Sequence, residues 1–332
     1  MIQDNLWYSG GCAAKRQRAS NSGLDPMCSH APCALPYAAQ TAMLDLRLIL
    51  VSLIWGVNFS AVKYALRYFY PLSFTVVRFA LSSLFLAFIL IVRRESLRIE
   101  RKDISPFIRL GLIGIALYNI LFMYGLNLTS ASNSALLISL SPLFAALIQG
   151  IAKKERILFQ SGLGIVLSAV GVFLIIQSRP GGISFTRHDL AGNLLTLCAS
   201  IFWALYTIHA QPLLQKYSAV KVTAYSMATG TVLLLPMSLH ELARQSWSEV
   251  TAPSWAAFGF SSLVSGGIAF SLWYKGVQRH GVTRTIVYHY FVPLVAVLFA
   301  ALFLGERLSV AQITGGIGIL AGVALVQNIQ ST

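Results

Sequence analysis

Two residue pairs have the chemistry and spacing to hold a small polar solute. Trp55 is followed one helical turn later by Asn58, and Trp203 by Tyr206. On a helix, an i, i+3 spacing puts both side chains on one face. Indole, amide and phenol groups can then hydrogen-bond and stack on a zwitterionic or aromatic molecule. Arg78 adds a guanidinium that can grip a carboxylate in a bidentate fork. His289, between Tyr288 and Tyr290, could carry a coupling proton, since imidazole exchanges protons at physiological pH. Pro293 cannot donate to the His289 carbonyl four residues earlier, which predicts a local break and an open backbone ligand. Pro142 predicts a matching break in another apolar segment, with Ser139 and Ser141 beside it. Tyr118, Asn119 and Trp273 complete the candidate set. Each has a structural alternative: Asn58 as a polar contact between helices, Arg78 snorkelling or bonded to open carbonyls, His289 satisfied inside the core, and the aromatics as packing or belt residues.

The composition says what must position these groups. The chain has 332 residues, 56% hydrophobic and 11% charged, with mean hydropathy +0.69. A soluble domain carries about 25% charged residues. Disordered, collagen-like and disulfide-scaffold classes are excluded on the same numbers. Ten membrane helices of about 20 residues would use roughly 200 residues. The expected fold is therefore an all-α integral membrane protein. Helices are expected at about 46–66, 72–92, 106–126, 131–152, 157–177, 190–211, 221–240, 254–276, 282–304 and 309–328.

Residues 1–42 read differently, being rich in Ser, Ala, Asn and Gly. They are expected to be a disordered extension or a misassigned start, since Met43 leads straight into the first apolar run. Cys28, His30 and Cys33 lack the second ligand pair of a zinc site, so no metal and no cofactor are expected. Cys198 is expected to pack inside its helix. Lys63 and Lys275, near helix ends, are expected to snorkel.

The net charge of +14 sits mostly between apolar runs, where it faces lipid headgroups and sets topology. No nucleic-acid partner is expected. With the N-terminus inside, the inner segments hold Arg47, Arg93, Arg94, Arg98, Arg101, Lys102, Lys153, Lys154, Arg156, Lys216, Lys221 and Arg279. The outer loops hold fewer: Arg67, Arg179, Arg187, Arg244 and Arg307. Both termini are thus expected in the cytoplasm.

The chain also resembles itself. A shift of 151 residues lays Pro142 on Pro293, Glu155-Arg156 on Glu306-Arg307, and Gly164 and Gly171 on Gly315 and Gly322. Upstream, a shift of 148 lays Trp55 on Trp203. Residues 44–177 and 189–328 are then two repeats of five helices. An odd number of crossings inverts the second repeat, and inverted repeats are a transporter architecture with the solute held near the midplane.

Leu53-Ile54-Trp55-Gly56-Val57-Asn58-Phe59, Arg78, Tyr124-Gly125-Leu126, Thr129-Ser130-Ala131, Ser141-Pro142-Leu143-Phe144, Glu155-Arg156 and Gly305-Glu306-Arg307-Leu308 together resemble the EamA family of the drug/metabolite transporter superfamily. The resemblance covers about 44–328. Lys153-Lys154 departs from the family pattern, which usually has Leu-Gly there. The resemblance implies a carrier of small metabolites, often an exporter of amino acids, in the bacterial plasma (inner) membrane.

All eleven acids fall in the extension, loops or helix ends. A cation antiporter normally needs a carboxylate in mid-membrane, so a zwitterion or weak anion fits better. Glu155 and Glu306 each stand just before a helix, and are expected to complement its positive N-terminus. A P-loop, His-Glu-x-x-His, Gly-x-Ser-x-Gly and an acid dyad are all missing from the sequence, so an enzyme is not expected. The function expected is secondary export of small polar metabolites such as amino acids, by a monomer or homodimer. The alternatives are a carrier of phosphorylated sugars or nucleotide-sugars, or a membrane protein without transport activity.

Overall fold

The computed structural model describes residues 45–152, 159–177 and 187–330. The extension and Glu155 lie outside them. Helices occupy each of the ten expected segments: α1 Leu46–Ala65, α2 Pro71–Val92, α3 Arg101–Leu128, α4 Ala131–Ala152, α5 Phe159–Gln177, α6 Arg187–Leu214, α7 Ala219–Arg244, α8 Ala252–Val282, α9 Arg284–Leu304 and α10 Val310–Gln330. Among the described residues, eight of them, α1–α4 and α6–α9, are long and apolar enough to cross a bilayer.

Local chemistry starts and stops these helices. The side chains of Asp45, Ser130 and Ser218 accept from backbone N–H groups in the first turns of α1, α4 and α7, as N-caps do. Proline sits in the first turn of α2 and α8, where no N–H is needed. Gly281 (φ 77°) and Gly305 (φ 68°) take the left-handed backbone that ends α8 and α9.

Packing follows the repeat. α1 packs on α8 and α9, and its mate α6 packs on α3 and α4; α2 pairs with α7, and α5 with α10. Exchanging the two repeats leaves this set of pairs unchanged, as a pseudo-two-fold axis requires. Large side chains fill the centre, among them Trp203, Trp273, Tyr206 and Tyr274, while Leu84, Phe88, Leu302 and Phe303 face outward. Cys198 is exposed. It stands on the outer face of α6 rather than in the packing expected for it.

Four helices are irregular, in two related pairs. α3 widens into a π segment at Leu112–Leu117, and α8 at Phe260–Ala269. α4 is interrupted between Ile138 and Ser141, just before Pro142. In α9 a 3-10 turn at Val287–Tyr290 precedes Pro293. Both prolines therefore mark the breaks that the missing N–H predicts.

The α5–α10 interface is where the repeat-related glycines meet. A Cβ at Gly171 would lie 2.5 Å from the Gly315 carbonyl oxygen, and one at Gly322 would collide with the Gly164 carbonyl and the Ser168 hydroxyl. Close backbone approach of this kind binds helices in a medium that gives no hydrophobic drive. We expect Gly171→Leu to lower stability by about 1–3 kcal/mol through overpacking. Gly259→Ala, where nothing lies within 4 Å, should hold stability or raise it by about 0.5–1 kcal/mol. Thermal unfolding in detergent checks both; a Gly171→Leu protein as stable as wild type would refute the close-packed interface.

Candidate functional site

A cavity of about 40 Å³ lies at the centre, lined by Trp55, Asn58 and Phe59 of α1, Arg78 of α2, Tyr118, Asn119 and Phe122 of α3, Ile138 of α4, Trp203 of α6, Ser265 and Phe270 of α8, and His289 and Val292 of α9. Seven of the residues singled out in the sequence therefore meet: Trp55, Asn58, Arg78, Tyr118, Asn119, Trp203 and His289. The cavity has room for about three waters, at roughly 10–15 Å³ each.

Three others fall outside the lining. Trp273 backs it, 5.1 Å from the His289 ring and 5.2 Å from Trp55. Tyr206 packs behind Trp203 at 5.7 Å and bonds Ser226 at 3.1 Å. Tyr288 turns away from the cavity: its hydroxyl accepts from the Asp45 N–H at 2.9 Å, at the start of α1. Phe270, Phe59 and Phe122 line the site without having been singled out. Phe270 stands one turn before Trp273, the same i, i+3 spacing as Trp55–Asn58 and Trp203–Tyr206, which would have found it.

The irregular helices hold the polar groups in place. A π segment leaves carbonyls off the regular ladder, and three from α8 are used by neighbours. Arg78 Nε donates to the Ser261 carbonyl at 3.1 Å, Ser82 Oγ to Ser262 at 2.7 Å, and Trp55 Nε1 to Ser265 at 3.4 Å. In α3, the Asn119 amide donates to the Gly114 and Ile115 carbonyls at 3.3 and 3.0 Å. At the α4 break, Ser141 Oγ bonds the Ile138 carbonyl at 2.8 Å and His289 Nδ1 at 3.2 Å.

What remains open is informative. The Arg78 guanidinium is buried, 4.7 Å from the Phe79 ring centroid. No ion pair to Arg78 exists among the described residues. Asn58 Oδ1, Trp203 Nε1 and His289 Nε2 are buried without a hydrogen-bond partner. The wall thus offers a cation, an indole donor, an amide oxygen and an imidazole nitrogen, set in aromatic faces.

Charged groups close one end of the bundle, where α1, α3, α7 and α9 finish. Glu306 accepts from the N–H groups of Ala131 and Ser132 at 2.8 and 3.1 Å, and from the Ser132 hydroxyl at 2.6 Å. It therefore caps α4, a helix of the other repeat, and not the helix that follows it. Lys63 does not snorkel. Its ammonium donates to the carbonyls of Leu126, Asn127 and Thr129 at 2.6–2.9 Å. Glu241 at the end of α7 accepts from the Leu72 and Ser73 N–H groups and from the Tyr124 hydroxyl. At the opposite end, Glu95 accepts from Ser218, the N-cap of α7, and Asp103 accepts from Lys216 and Tyr217.

The architecture has known counterparts. The EamA-like transporter family model matches residues 43–177 and again 190–327. An uncharacterized transporter of Bacillus subtilis, YyaM, is 28% identical over 84% of this chain and 91% of its own. A protein of Streptantibioticus cattleyicolor named as a probable terminal-alkyne amino-acid exporter is 28% identical over 84% of this chain and 91% of its own. A crystal structure 18% identical in sequence shares the fold with TM-score 0.62, over 85% of this chain and 96% of that one. Two matched copies span most of the chain, each covering one five-helix half: the protein belongs to the EamA-like transporter family and is a multi-pass membrane protein.

Proposed function

We propose that this transporter is a secondary carrier exporting a small zwitterionic metabolite, an amino acid or a close relative, from the bacterial cytoplasm. Arg78 carries the reading. A buried guanidinium with one carbonyl partner and no carboxylate partner among the described residues needs an anion, and the solute supplies it as a carboxylate. The bare acceptors on the same wall suit the positive end of that solute. The name of the Streptantibioticus relative points to the same class of cargo. Phosphorylated sugars or nucleotide-sugars carry more negative charge than one guanidinium matches, and Arg78 is the one Lys or Arg in the lining.

In this reading a cavity of about 40 Å³ is a collapsed site. The solute has to spread the rings, and the two repeats rock around it to open each side in turn. With both termini cytoplasmic, the Glu306–Lys63 end is the outer gate. Its release lets the solute leave.

Two experiments test this. The exported solute is first found by comparing metabolites in the medium of cells with and without the overexpressed protein. A hydrogen bond to a charged group contributes about 1.5–3 kcal/mol, so Arg78→Gln should weaken apparent affinity by roughly 10–100-fold in reconstituted vesicles. Unchanged transport by that variant would sink the assignment. For the gate, Glu306→Gln removes an anion from a helix N-terminus, worth about 1–2 kcal/mol in partly buried geometry. We expect an impermeant maleimide outside to label Val292→Cys, in a protein otherwise free of cysteine, roughly 5–30-fold faster. Equal labelling rates would show that Glu306 does not hold the outer side shut.

A further inference from the structure

The contacts around His289 fix which ring nitrogen faces the cavity. Pro142 has no N–H, so the Ile138 carbonyl four residues earlier loses its helical donor. Ser141 Oγ bonds that carbonyl at 2.8 Å. A hydroxyl has one proton, and here it is spent on Ile138. Towards His289 Nδ1, 3.2 Å away, the same oxygen can act as acceptor alone. Nδ1 must therefore carry the ring proton, and in the neutral ring Nε2 is left as a bare lone pair. Nε2 is also buried without a partner, and the residue is 4% exposed.

The ring is not free to turn over and exchange the two nitrogens. Trp203 stacks on it at 5.3 Å and 12°, while Trp55 and Trp273 stand 5.5 and 5.1 Å away. Asn58, 6% exposed, adds a second unpartnered acceptor, Oδ1, on the same wall.

We propose that Ser141 is a positioning residue: it holds His289 with Nε2 aimed into the cavity, so that His289 and Asn58 select solutes bearing an N–H donor. This deepens, and rests on, the reading of the cavity as a zwitterion site. It opposes what the aromatic rings would do alone. A cage of tryptophan faces attracts any cation, quaternary ammonium included. A pair of buried acceptors rejects a quaternary ammonium, because it has no hydrogen to give and leaves both acceptors unpaired. The predicted preference is therefore for a primary amine over its trimethylated analogue, at equal charge.

Nitrogen-15 NMR of histidine-labelled protein in nanodiscs tests the assignment, with the His289 signals identified by their loss in His289→Gln. We expect a protonated Nδ1 and an unprotonated Nε2 in the wild type, a mixture of tautomers in Ser141→Ala, and the wild-type pattern restored in Ser141→Thr. Methylammonium should move the Nε2 resonance, and tetramethylammonium at the same concentration should not. A protonated Nε2 in the wild type, an unchanged pattern in Ser141→Ala, or the same response to both cations would overturn the proposal. A response to methylammonium with none to any standard amino acid would overturn the zwitterion reading and leave the His289 assignment standing.

Discussion

A backbone carbonyl inside a bilayer has no water to bond, so one that leaves the helical ladder has to be met by another donor. Much of the centre of this protein follows from that requirement. The π segment of α8 frees carbonyls at Ser261, Ser262 and Ser265, and the donors that meet them are Arg78, Ser82 and Trp55. The α3 π segment is met by Asn119 of its own helix. Pro142 strands the Ile138 carbonyl, and Ser141 answers it. Arg78 and Asn119 are each anchored through one nitrogen and keep other polar atoms to spare. The breaks are thus the reason a buried cation and a buried imidazole have fixed positions.

The helix ends obey the same rule with charge added. The first N–H groups and the last carbonyls of a helix are unpaired and carry the ends of its dipole. Glu306 and Glu241 each meet an N-terminus belonging to the first repeat, and Lys63 meets the carbonyl end of α3. Glu95, through Ser218, serves the N-terminus of α7 in the way Glu241 serves that of α2. The α2–α7 pair is therefore tied by a carboxylate at both ends. Glu306 bridges α4 to the turn after α9, the two helices that also carry the proline breaks. In the proposed carrier, a carboxylate there couples the outer gate to the two elements that carry Ser141 and His289.

These contacts were unequally legible in the sequence. The apolar runs, the repeat and both proline breaks follow from periodicity and from the missing N–H. Asn58, Trp55 and Trp203 could be placed because i, i+3 spacing survives in any straight helix. The spacing is silent on partners. Glu306 stands directly before a helix, so local reading assigned it to that helix, whereas its partner is α4, 174 residues back along the chain. Lys63 near a helix end looks like a snorkelling cation until the α3–α4 turn is brought beside it. Tyr288 and His289 are neighbours in sequence, yet the 3-10 turn sends one to the start of α1 and the other to the cavity. The π segments have no residue signature comparable to proline, so the source of the carbonyl that holds Arg78 could not be read in advance.

The collapsed centre also bears on how such a carrier avoids leaking. Every pair among the rings of Trp55, Trp203, Trp273 and His289 lies within 5.1–6.0 Å. Aromatic pairs contribute about 0.5–1.5 kcal/mol each beyond area burial, so in the proposed carrier these ring contacts resist opening by several kcal/mol. A solute that parts the rings gives up much of that. A carboxylate on Arg78, at about 1.5–3 kcal/mol for each charged hydrogen bond, returns a comparable amount. Near-balance is what a carrier needs: a solute that gained much more would not leave, and one that gained much less would not open the site. An ion or water alone has too little apolar surface to replace the ring contacts. In the proposed carrier the aromatic cluster and Arg78 are one device, in which closing the site and recognising the solute draw on the same side chains.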